Sequence, residues 1–123
     1  MTQTKTCSCE GKSLDHFLQP AILALLATED LHGFAMVKAI GENAMFHGTT
    51  PDSTGVYRFL KKMHEQSLVT ATDVDQEHLP AKRCYHLTAK GRMCLASWRR
   101  TLHAYIGDLA RFVSALDALE LED

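Results

Sequence analysis

The chain has 123 residues, 46% of them hydrophobic and 23% charged, with a formal net charge of -2. That is one domain's worth of ordinary globular composition, long enough to bury a core without disulfide or metal staples. A net charge this small excludes a protein that binds polyanions through bulk charge, so such a partner would have to be met by one locally basic face.

Residues 1–13 are polar and aperiodic and read as a flexible tail carrying Cys7 and Cys9. The amino terminus lacks the apolar stretch of a signal peptide, and the longest apolar run, AILALLA, is too short to span a bilayer. A cytoplasmic chain with no membrane partner is expected, and its four cysteines (Cys7, Cys9, Cys84 and Cys94) should be mostly thiols.

From Asp15 the pattern becomes helical. Leu18, Ile22, Leu25 and Leu26 share a face, and Pro20 fits a first turn, where a missing N–H costs little. TEDLHGF reads as a short connection. Asp30 is expected to cap a second helix that carries Phe34, Val37 and Ile40 inward, before GENAMFHGTTPDS breaks the period. In the third helix, Val56, Phe59, Leu60 and Met63 form a buried stripe. Thr54, Arg58, Lys61, Lys62 and Glu65 lie opposite, with Pro51 just before the start and Asp52 or Ser53 as the cap. LVTATDV and KRCYHLT read as two strands joined by a polar hairpin loop, DQEHLPA.

Thr88 opens a last, long helix. Along it Leu95, Trp98, Leu102, Tyr105, Leu109, Phe112, Leu116 and Leu119 are separated by 3, 4, 3, 4, 3, 4 and 3 residues, a heptad seam. A helix of about 30 residues is roughly 45 Å long, more than so small a domain can cover. The seam therefore predicts a homodimer, with Leu95, Trp98, Leu102, Tyr105, Leu109, Phe112 and Leu116 at the interface. Gly107 within it weakens the helix by about 1 kcal/mol relative to alanine.

The order of elements implies a mostly α fold with a small β-hairpin. It is a winged helix-turn-helix over residues 14–88, followed by a C-terminal dimerisation helix over 89–123. In such a fold the third helix enters a major groove of double-stranded DNA and the hairpin reaches the neighbouring backbone. The candidate footprint is Ser53, Thr54, Tyr57, Arg58, Lys61 and Lys62 on the helix, with Lys82 and Arg83 on the returning wing strand. Hydroxyls and backbone N–H groups at a helix start suit phosphate, and arginine can pair with guanine. For each residue the alternative is structural: a supporting aromatic for Tyr57, a solvated face for the cations, a blunted edge strand for Lys82 and Arg83. Charge placement favours the footprint. Residues 51–100 hold nine Lys or Arg against five acids, while LDALELED at the carboxyl end holds four acids.

Three stretches, LHGF at 31–34, STGVYRFLKKMHEQSLV at 53–69 and PAKRCYHLTAKGR at 80–92, resemble the PadR-like family of transcriptional regulators. That family shows an HG-aromatic turn, a TxY-containing recognition helix ending in a GLV-like step, and a wing strand leading to LTxxGR. The resemblance spans about residues 17 to 116, and Ser67 stands where the family often has glycine. It implies a dimeric repressor that releases operator DNA on a signal. It also implies an aromatic effector cleft at the dimer centre, here Trp98 and Tyr105, against which stands plain core packing.

TCSCEG remains. Two thiols one residue apart, Cys7 and Cys9, could hold a thiolate-bound metal ion or sense oxidation. A closed site needs about four ligands, which His16, Cys84, Cys94 or a second copy would have to supply. The alternative is a tail with incidental thiols. No glycine-rich phosphate loop, HExxH or C-x-x-C is present, so no enzyme is expected. The competing functions are a winged-helix protein-interaction adaptor and a small thiol- or metal-handling protein.

Overall fold

The computed structural model describes residues 16–42, 53–76 and 79–122. Its elements are α1 (Leu18–Thr28), β1 (Leu31–His32), α2 (Gly33–Gly41), α3 (Ser53–Glu65), β2 (Val69–Gln76), β3 (Leu79–Leu87) and α4 (Ala89–Asp117). Leu18, Ile22, Leu23 and Leu26 of α1, Met36, Val37 and Ile40 of α2, and Val56, Leu60 and Met63 of α3 make one core. Leu68, Val69 and Tyr85 close it from the sheet side. The i, i+3, i+4, i+7 stripe of α3 is thus buried as its spacing dictates; Phe59 packs at the core's edge. The cap position before α3 lies outside the described residues.

Two expectations are corrected at the α1–α2 junction. Leu31 and His32 do not form a bare connection. They pair antiparallel with β3, opposite Tyr85 and Cys84, so the hairpin becomes a three-stranded sheet in the order β1-β3-β2. A two-residue strand carries no period, which is why the sequence hides it. Asp30 does not cap α2. The cap position is His32, whose side chain makes no capping bond, while an Asp30 carboxylate oxygen lies 3.0 Å from the His86 ring nitrogen Nδ1. Val37 and Ile40 are buried as expected. Met36 enters the core and Phe34 is left 78% exposed.

The α3–β2 turn shows why Ser67 can stand in a glycine position. Ser67 has φ 64, the left-handed region. Leu68 N–H donates to the Met63 carbonyl and Ser67 N–H to the His64 carbonyl, both within 3.0 Å, which is the Schellman pattern of helix termination. The left-handed conformation costs serine more than glycine, and the two bonds with the buried Met63–Leu68 pair offset that cost.

β2 and β3 pair from Val69–Leu87 to Gln76–Leu79, so the strands run further into DQEHLPA than expected, with an irregularity between Val74 and Gln76. Residues 77 and 78, at its tip, lie outside the described residues. Thr88 does cap α4: its hydroxyl accepts from Gly91 N–H at 2.9 Å. The same hydroxyl lies 2.7 Å from the Ser67 carbonyl and 2.9 Å from that of Leu68. Lys90 Nζ donates to the Gln66 carbonyl at 2.9 Å, an orphan acceptor at the end of α3. Gly91 permits this closeness, because a Cβ there would run into the Leu68 carbonyl. The LTAKGR segment is therefore a clamp joining the start of the long helix to the end of α3. At about 1.5 Å per residue the 29 residues of α4 extend about 43 Å, unbroken at Gly107.

Candidate nucleic-acid interface

α3 presents Ser53, Thr54, Tyr57, Arg58, Lys61 and Lys62 to solvent, on the side opposite Val56, Leu60 and Met63. Arg58, Lys61 and Lys62 form no ion pair among the described residues, so their charge is available to a partner. Thr54 is already engaged in an interaction. The first turn of α3 carries no acid, leaving the helix start positive.

Tyr57 is both packed and exposed. Its ring lies over Gly33, where an added Cβ would sit 3.0 Å from both the Tyr57 Cζ and hydroxyl oxygen and closer still to the ring edge. The glycine of the LHGF turn thus makes room for the tyrosine of α3. Tyr57 nevertheless remains 43% exposed, enough for its hydroxyl to face an outside group.

The wing cations differ from one another. Arg83 Nε donates to an Asp73 carboxylate oxygen across the β2–β3 ladder at 3.1 Å, and both side chains are exposed. The Asp73 hydrogen bond and charge hold the guanidinium above its usual pKa, with the Tyr85 hydroxyl also contributing. Burial raises the Tyr85 phenol, against the lowering effect of Arg83. Lys82 is exposed and has no such partner among the described residues. Asp73, Arg83, Tyr85 and Tyr57 therefore join the wing to α3, a linkage invisible in the sequence because it crosses three elements.

On the far side of the domain, α1 and the first half of α4 enclose a groove of about 610 Å3 lined by Phe17, Leu95, Trp98, Leu102 and Ile106, with Arg92, Arg99 and His103 among its polar members. The proximal seam is engaged within the chain. Leu95 and Trp98 pack against the core, the Trp98 indole N–H donates to Gln19 Oε1 at 2.8 Å, and Phe17 meets the Trp98 ring edge-on at 6.2 Å. Leu102 is half-buried. Tyr105, Leu109, Phe112 and Leu116, with Ile106 and Val113 beside them, are exposed. Of the two aromatic residues assigned to an effector cleft, Trp98 lines the groove and Tyr105 does not. Sequence reasoning missed Phe17, Arg92, Arg99 and His103 here, since only packing α1 on α4 collects them.

Cys7 and Cys9 lie outside the described residues. Cys84 and Cys94 are half-buried thiols, and burial together with the Asp30 carboxylate raises the Cys84 pKa, which keeps it a thiol. Among the described residues no three His, Cys, Asp or Glu side chains are placed to hold a metal ion, and no helix is long and apolar enough to cross a membrane.

Three helices, an antiparallel sheet at the end of α3 and a long trailing helix define a winged-helix protein. Residues 22–97, more than half of the chain, match the model of the transcriptional regulator PadR-like family, and the chain belongs to that family. The family is one of transcription regulators, not of enzymes. Solved structures agree in fold. A PadR family transcription regulator from Clostridium difficile superposes with a TM-score of 0.68 at 18% identity, over 79% of this chain and 98% of that one. A PadR-like transcriptional regulator from Bacillus cereus gives 0.65 at 23% identity, over 89% and 99%. Bacillus subtilis PadR, solved in complex with operator DNA, gives 0.59 at 26% identity, over 66% of this chain and 46% of that one. No curated protein matches the sequence.

Proposed function

We propose that this chain is a homodimeric repressor that binds double-stranded DNA through residues 14–88 and dimerises through residues 89–123. The observation that carries the reading is the two-sidedness of α3. One side is locked into the core by Val56, Leu60 and Met63; the other offers hydroxyls and three cations that form no ion pair among the described residues, next to a wing bearing Lys82 and Arg83. In this reading Arg58, Lys61 and Lys62 meet bases and phosphates of a major groove, with most contacts going to phosphate. The relative from Bacillus subtilis was solved with operator DNA, which supports the same use of the fold here.

Two copies place two α3 helices on one duplex. The contact surface is the distal seam, Tyr105, Leu109, Phe112 and Leu116, which this chain leaves exposed on its own. So much apolar surface on one helix is unusual for a monomer. The release signal is a small apolar molecule entering the groove at Trp98, whose size falls within the range of ligand pockets. The α4 clamp on Gln66, Ser67 and Leu68 would carry a shift of α4 to the end of α3.

The test is fluorescence anisotropy with the duplex upstream of the chain's own gene, across a salt series. Log affinity should fall against log salt with a slope of about −0.9 per neutralised phosphate. Arg58→Ala and Lys62→Ala should each weaken binding and flatten the slope while the dimer persists. Unchanged binding by both would shift the reading to a protein-interaction adaptor.

A further inference from the structure

The sheet face that points away from the core carries a line of side chains with no part in DNA binding. His86 on β3 stands between Asp30, at the α1–β1 junction, and Thr72 on β2. Its Nδ1 lies 3.0 Å from an Asp30 carboxylate oxygen, and its Nε2 lies 2.8 Å from the Thr72 hydroxyl. We propose that Thr72 is a nucleophile, activated by His86 and oriented through Asp30, that accepts an acyl group from a small activated donor, an acyl phosphate or an activated ester. No contact with a duplex is needed for this.

The proton positions follow from the donors and acceptors present. A carboxylate only accepts, so Nδ1 carries the hydrogen that faces Asp30. In the neutral imidazole Nε2 is then the acceptor, and the Thr72 hydroxyl donates to it. A hydroxyl nucleophile needs this order: a base on its proton, and a carboxylate that fixes the tautomer of the base. The strand register brings the groups together. Thr72 pairs with Cys84, so His86, next but one along β3, is its diagonal neighbour on the same face. Asp30 arrives there because Leu31 and His32 pair with Tyr85 and Cys84.

The surroundings suit the reaction. Thr72 is exposed, so a donor in solution reaches its oxygen. β2 is an edge strand. Alternate residues of such a strand turn their N–H groups away from the ladder, so one lies at Thr72 or at both of its neighbours. That N–H can receive the negative oxygen that develops on the acyl carbonyl. In the reaction Thr72 Oγ bonds to the acyl carbon while its proton passes to Nε2. The bond from that carbon to the donor's leaving oxygen then breaks, and the departing phosphate or alcohol takes the proton. Thr72 is left as an ester and His86 is neutral again. Two neighbours provide the contrast. Thr70 is exposed on the same strand face but makes no hydrogen bond to an imidazole among the described residues. Cys84 stands directly opposite Thr72, yet burial and the Asp30 carboxylate keep it a thiol, the weaker form of that nucleophile.

The test incubates the whole chain with acetyl phosphate and follows acetylation of each residue by peptide mass spectrometry. Thr72 should be labelled about 100-fold or more faster than Thr70, the lower end of what a positioned base contributes. p-Nitrophenyl acetate should give the same pattern, because both donors deliver the same acyl group. His86→Gln should slow Thr72 labelling by about 100-fold or more, and Thr72→Ser should keep it. Asp30→Asn should also slow it, and nitrogen NMR of the His86 ring should then show a larger share of the Nε2–H tautomer, a change that lost packing alone does not give. If His86→Gln does not fold, Asp30→Asn, at an exposed position, carries the same comparison. Equal labelling of Thr70 and Thr72, label on Cys84 alone, or a folded variant of His86 or Asp30 labelled as fast as wild type would each overturn the proposal.

Discussion

Gly33→Ala tests the contact that ties the LHGF turn to α3. Gly33 is the first residue of α2, and its backbone conformation is one alanine also adopts. With no other neighbour in the way, the exchange would stabilise the chain by about 0.4–1 kcal/mol, because glycine loses more freedom on folding. The added methyl instead meets Cε1, Cζ and the hydroxyl of Tyr57. Overpacking of this kind costs about 1–3 kcal/mol, so a net loss of up to about 2.5 kcal/mol is expected. In a Tyr57→Ala background the obstruction is gone, and the same exchange should become neutral or stabilising. The coupling between the two sites should therefore be about 1–3 kcal/mol. Urea unfolding of the four proteins at one fixed chain concentration measures it, the fixed concentration removing any shift from association. Additive effects would refute the contact, and with it the claim that Gly33 is there to hold Tyr57.

The remaining predictions address the seam, the clamp and the sheet. Leu109 is 59% exposed, so burying the remainder in both copies of a dimer is worth about 2–3.5 kcal/mol in total; Leu109→Asp should give monomers by light scattering, and a variant that stays dimeric would place the interface elsewhere. Thr88→Val removes the acceptor for Gly91 N–H and the donor to the 67–68 carbonyls, and should cost about 1–2 kcal/mol in urea unfolding. The Cys84 and Tyr85 pKa values are both raised in the folded chain, so the native state holds these protons longer than the unfolded one. Their contribution is complete below the ordinary thiol value of 9.0 and is lost as pH rises past it and past the phenol's 10.0 towards the folded values. Stability should therefore fall along an alkaline limb, and Cys84→Ala should remove the part that begins at the thiol.

Sequence alone determined the parts of this protein that repeat a period or announce an end. The stripe of α3 is legible because a helix facing a core must place apolar groups every three or four residues. The start of α4 is legible because Thr88 is a good cap, and its length because nothing interrupts the heptads except Gly107. The cationic side of α3 follows directly, being the complement of the stripe. Contacts between elements are what tertiary structure decided. Leu31 and His32 become a strand only because β3 lies beside them, and α2 begins only after that pairing, with Met36 in the core and Phe34 outside it. Leu95 and Leu109 look alike in the heptad pattern, yet α1 covers the first and not the second. The Asp73–Arg83 pair, the ring of Tyr57 over Gly33 and the grip of Thr88 on the α3 turn each join residues far apart in the chain. Periodicity records which way a side chain faces along its own element; it carries no information about what stands opposite, and that is settled only when the elements pack.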